Sequence, residues 1–113
     1  MKLVALAALV AALLVPSALA ATPTLTGTVG PGFTITLKKG TAKVTKLKAG
    51  AYVIKVSDKS NIHNFHLKGP GVNKSTSVGG TGSSTWTLTL KKGKYTFVCD
   101  PHATLMKSTF VVS

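Results

Sequence analysis

From Ala21 onward, apolar and polar residues alternate in short runs, and the runs end at glycine, proline or Lys-Gly pairs. A period of two is that of a strand with one buried face, and no sustained 3.6-residue recurrence marks an amphipathic helix. The pattern predicts strands over Thr24–Val29, Phe33–Leu37, Ala42–Leu47, Tyr52–Val56, Ile62–Leu67, Thr85–Leu90, Tyr95–Cys99 and Ser108–Val112. About seven or eight short strands in one small domain imply an all-β sandwich of two antiparallel sheets. Gly30-Pro31-Gly32, Lys39-Gly40, Ala49-Gly50 and Lys92-Gly93 supply the turns. Between Gly69 and Ser84 the alternation gives way to Gly, Ser and Thr, which predicts a long surface connection.

The first twenty residues follow a different rule. Lys2, the apolar run Leu3–Val15 and the small-residue end Ala18-Leu19-Ala20 have the layout of a secretory signal peptide. The run is shorter than the roughly 20 apolar residues of a spanning helix. Cleavage after Ala20 is expected, with retention as a membrane anchor the alternative. The remaining domain, residues 21–113, would lie in a secreted, periplasmic or cell-envelope exterior setting.

Charge changes the picture next. The 113-residue sequence carries a formal +12, and from Ala21 on thirteen lysines face only Asp58 and Asp100, a net +11 with no arginine. Such a field would steer acidic partners, whereas lysines at turns equally serve as solvated guards of strand edges. The absence of arginine and of a clear aromatic platform argues against nucleic acid.

Cys99 is the only cysteine, so an exported chain cannot use it in an internal disulfide. Parity places it on the inward face with Tyr95 and Phe97, and carries His63 inward with Phe65 and Leu67. Pro101 favours a tight turn that brings His102 within reach, and Met106 follows just before the final strand. His66 faces the other way unless a bulge reverses the strand.

Taken singly, each of these residues reads as a buried hydrophobe or a surface histidine. Together, a thiolate, two imidazoles and a thioether suit copper in a His₂Cys trigonal set with a weak axial Met. Structural zinc needs more than one cysteine in its usual sets, and a Cys–His nucleophile here lacks a placed acid or amide to orient the imidazole. The expected ligands of one type 1 copper are His63, Cys99, His102 and Met106.

The stretch Gly93-Lys94-Tyr95-Thr96-Phe97-Val98-Cys99-Asp100-Pro101-His102, together with His63-Asn64, resembles the small cupredoxins of the plastocyanin and amicyanin type. That resemblance implies a Greek-key β-sandwich with copper at one end and the four ligands named above. It implies that Asn64 makes a steadying contact near the sulfur. It also implies that the edge of His102 reaches the surface, ringed by Pro31, Pro70, Ala103 and Leu105.

Two positions depart from the family pattern. Three residues separate His102 from Met106, a spacing between those of amicyanins and plastocyanins, and Asp100 stands where a neutral Ser or Thr is common. An anion there favours Cu(II) and predicts a depressed reduction potential. The expected function is a soluble extracytoplasmic electron carrier rather than an enzyme. It would act as a monomer without a membrane span and exchange electrons with redox proteins, acidic ones being those the lysines would attract. A copper-binding or copper-delivery module of the envelope is the alternative.

Overall fold

A computed structural model describes residues 21–113; the signal-peptide reading of residues 1–20 lies outside them. Ten strands run in chain order: β1 (Thr24–Val29), β2 (Ile35–Lys39), β3 (Ala42–Lys43), β4 (Lys46–Leu47), β5 (Gly50–Asp58), β6 (His66–Gly69), β7 (Val72–Ser75), β8 (Gly82–Leu90), β9 (Gly93–Val98) and β10 (Lys107–Val112). They form two five-stranded sheets, ordered β3-β2-β1-β5-β8 and β4-β10-β9-β6-β7.

The alternation does what its period requires. Leu25 and Val29 of β1 point inward, as do Tyr52, Ile54 and Val56 of β5 and Tyr95 and Phe97 of β9. Between the sheets Phe65 stacks on Phe97 with centroids 5.5 Å apart, and Tyr95 stacks on Phe110 at 5.2 Å. Gly27 of β1 lets its sheet approach that core closely, since a Cβ there would lie 2.9 Å from the Phe65 ring. Fully burying side chains of this size contributes about 1.5–3 kcal/mol each.

Four expectations need correction. The sheets are mixed rather than antiparallel, because β1 runs parallel to β5 and β4 parallel to β10. Alternation reports which face is buried and carries no information on the direction of the neighbour. The predicted strand Ala42–Leu47 is two strands in different sheets, β3 against β2 and β4 against β10. Its buried residues Val44 and Leu47 are three apart, which no single strand face allows, and the chain changes sheets between them.

The predicted strand Ile62–Leu67 begins only at His66, and His63, Asn64 and Phe65 are three consecutive buried residues in a loop. Finally, the Gly69–Ser84 connection contains β7, hydrogen-bonded to β6, and the start of β8. Polar composition masked β7 because only Val72 of its four residues is buried.

The strand directions give the sandwich two chemically distinct ends. Val29, Asp58, His66, Val98 and Lys107 mark one end, which also holds the loops carrying His63 and residues 99–106. Thr24, Gly50, Gly69, Leu90, Gly93 and Val112 mark the other.

Candidate metal centre

Each donor is positioned by a local device. Cys99 follows the last residue of β9, continuing the inward row of Tyr95 and Phe97, and is fully buried. Asp100–His102 form a single 3₁₀ turn with Pro101 in its first half, where a missing N–H costs nothing. The His102 N–H donates to Cys99 O at 3.0 Å, and the turn thereby folds the His102 ring back over the sulfur. Met106 closes the loop: its N–H donates to His102 O at 2.9 Å, and its carbonyl accepts the Cys99 N–H at 3.0 Å. The Met106 side chain is buried at the same end.

His63 is fixed from the other sheet. Its Nε2–H donates to the Gly32 carbonyl at 2.8 Å, which leaves the Nδ1 lone pair facing inward. Gly32 has φ +75°, a conformation that glycine adopts without strain and that turns this carbonyl toward the ring.

Three donor atoms therefore converge. His63 Nδ1 lies 3.1 Å from His102 Nδ1, and Cys99 Sγ lies 3.6 Å from the first and 3.5 Å from the second. A point equidistant from all three vertices of that triangle is about 2.0 Å from each. Metal–nitrogen and metal–thiolate bonds are about 2.0–2.3 Å long, so the set fits one ion with little rearrangement. Among the described residues this is the one cluster of three His, Cys, Asp or Glu side chains able to share an ion. One thiolate with two imidazoles is the strong-donor set of a type 1 copper.

His66 is not in the cluster. Its ring, largely buried, donates from Nδ1 to the Asp100 carboxylate at 2.9 Å, and its Nε2 meets Asn73 Oδ1. The Asn64 side chain makes its hydrogen bonds to Asp100 and Thr76 rather than to the sulfur. Its Oδ1 accepts the Asp100 N–H and its Nδ2 donates to Asp100 Oδ2, both at 2.8 Å, so it steadies the backbone immediately after Cys99. Burial works to raise the Asp100 pKa, but hydrogen bonds from Asn64 and His66, with the charges of His66 and Lys68, outweigh it and hold the carboxyl below its ordinary value.

The surface around His102 also differs from expectation. Pro70 lies at the opposite end of the sandwich, where its carbonyl meets the Tyr95 hydroxyl and its ring sits over Gly93. Phe33 takes its place: the ring meets His102 edge-on at 4.9 Å and His63 at 5.2 Å, while more than half exposed. Sequence reading put Phe33 at the head of a strand. The signal that could have found it was an aromatic one residue beyond the Gly-Pro-Gly turn, too large to leave in solvent without a partner.

Solved structures with the same fold include reduced rusticyanin, 21% identical over 80% of this chain and 78% of its own, with a TM-score of 0.60. Another is the copper protein rusticyanin, 17% identical over 80% and 76%, with a TM-score of 0.61. A rusticyanin from Thiobacillus ferrooxidans is 20% identical over the same shares, with a TM-score of 0.55. No curated protein matches the chain. The cupredoxin-like domain model matches residues 3–112, and with the sandwich and its three convergent donors on the page, the chain belongs to the cupredoxin-like family.

Proposed function

We infer that the chain is an extracytoplasmic one-electron carrier built around a single type 1 copper, with His63 Nδ1, Cys99 Sγ and His102 Nδ1 as strong ligands and Met106 as the axial one. The observation that carries this reading is the triangle of 3.1, 3.5 and 3.6 Å formed by those three atoms. Copper bound there supplies a couple between Cu(II) and Cu(I).

The chain's own residues do the rest. Cys99 and His63 are buried, which keeps water from the sulfur. The Gly32 carbonyl and the two backbone bonds of Met106 hold the donors in place before any ion arrives. His102 is half-buried beneath Phe33 and is the ligand nearest the surface, the natural exit for an electron. Four protein ligands leave no open position for a substrate, which favours a carrier over an enzyme. The basic start and apolar run before Ala20 support export, and the redox partners are proteins that dock on the Phe33 end.

Adding Cu(II) to the purified domain tests the assignment by visible absorption and electron spin resonance. An intense blue charge-transfer band with narrow hyperfine splitting is expected; it should vanish in His63→Ala and persist in His66→Ala. A colourless adduct, or loss of the band only in His66→Ala, rejects the ligand set.

A further inference from the structure

The thirteen lysines of residues 21–113 are not spread evenly. The register places Lys39 at the end of β2, Lys46 on β4, Lys48 just beyond it, Lys91 and Lys92 in the β8–β9 turn, and Lys94 beside Val111, all at the end remote from Cys99. All six are exposed, and neither aspartate is there. At the donor end Lys59, Lys68 and Lys107 meet Asp58 and Asp100, Lys68 sharing a cleft with Asp100 and Lys107, so the formal side-chain charge of that end is +1 against +6 at the other. The exposed apolar residues Phe33, Ile62 and Leu105 stand at the donor end, and Val111 stands at the basic end between Lys46 and Lys94.

The basic end is also held rigid. The buried Tyr52 hydroxyl donates to Lys48 O at 2.7 Å, and Tyr95 Oη accepts the Lys91 N–H at 2.8 Å. Lys39, Lys46 and Lys48 further line a cleft of about 610 Å³. The chain enters the domain at Pro23, which lines the same cleft, so the apolar run Leu3–Val15 is attached at this end.

We propose that the six-lysine end is a docking surface for an anionic phospholipid membrane, which holds the domain with its Phe33 and His102 end turned outward to redox partners. Lysines near an anionic leaflet each contribute to binding and act as diffuse point charges, without the geometric demands that would call for arginine. A nucleic acid would want an aromatic platform beside the charge, yet among the described residues the one exposed aromatic, Phe33, is at the other end. The attachment of an apolar export segment at the basic end selects a membrane over a soluble polyanion.

The test is sedimentation of residues 21–113, which carry both sheets and the described core, with phosphatidylcholine vesicles with and without about 30% phosphatidylglycerol. The domain should bind only the anionic vesicles and be released by about 1 M salt. At roughly fivefold per lysine, the variant K46Q/K48Q/K91Q/K92Q should lower the partition coefficient about 100- to 1000-fold. K55Q/K59Q/K68Q/K107Q, equal in net charge, should lower it less than about tenfold; circular dichroism confirms that both variants are folded. Three results would overturn the proposal: no preference for phosphatidylglycerol, equal losses in the two variants, or tighter binding to duplex DNA than to the anionic vesicles at matched charge.

Discussion

Asn64 grips Asp100 at both ends, accepting its N–H and donating to its carboxylate at the same 2.8 Å. Two segments 36 residues apart are thereby clamped together one residue beyond Cys99. Removing the amide strands the Asp100 backbone donor in a part-buried place, at a cost of about 1 kcal/mol. Asn64→Ala should therefore lower the urea midpoint of the metal-free protein accordingly, with the slope unchanged; an unaltered midpoint contradicts the clamp.

The Asp100 charge should also be visible in the redox couple. A half-exposed charge on the residue next to Cys99 is worth about 1 kcal/mol, or about 40 mV for one electron. Asp100→Asn should raise the reduction potential by an amount of that order. A redox titration that finds no rise, or a fall, removes the carboxylate from the account.

The same carboxylate predicts a pH dependence. Its folded pKa lies below the ordinary 3.8, so between the two values the unfolded chain binds the extra proton and stability rises with pH. The contribution is complete above the ordinary carboxylate value and is lost as pH falls through the folded one. Unfolding of the metal-free protein followed from neutral to acid pH should show a steeper acid loss for wild type than for Asp100→Asn, the curves converging at the lowest pH. Parallel curves would mean that the carboxylate is not stabilised by folding.

Phe33 covers two donors while remaining half in solvent. Its edge contacts are worth about 0.5–1.5 kcal/mol, so Phe33→Ala should change stability only by that order. Water should then reach the rings, and a competing chelator should strip copper faster than from wild type. Unchanged release would show that the ring does not screen the site.

Gly69 illustrates how the remote end depends on the core. A Cβ there would fall 2.1 Å from the ring of Tyr95, which is buried and stacked on Phe110. Tyr95 cannot yield without disturbing that stack and the Lys91 turn it anchors. Gly69→Ala should cost about 1–3 kcal/mol by thermal unfolding while the copper spectrum of the loaded protein stays as it was.

Much of this was legible in the chain, and the gaps have a common cause. The pair Tyr95–Phe97 identified the buried face of β9 because period two is a local property, and Cys99 and His102 followed from adjacency to it. His63 was found buried as expected, although through a loop rather than the strand assigned to it. What local pattern could not show was partnership: the parallel β1–β5 pair, the change of sheet after Val44, the His66–Asp100 contact and the place of Phe33 all depend on residues far apart in sequence. Pro70 was misplaced for the same reason, since a proline near the end of one strand does not say which end of the sandwich that is.

The carbonyl of Gly32 fixes the orientation of the His63 ring, and it belongs to a turn outside the three-donor cluster. In the proposed carrier, gaining or losing an electron would demand no rotation of that imidazole. That part of the reorganisation would be met by a hairpin some thirty residues upstream of the ring it serves.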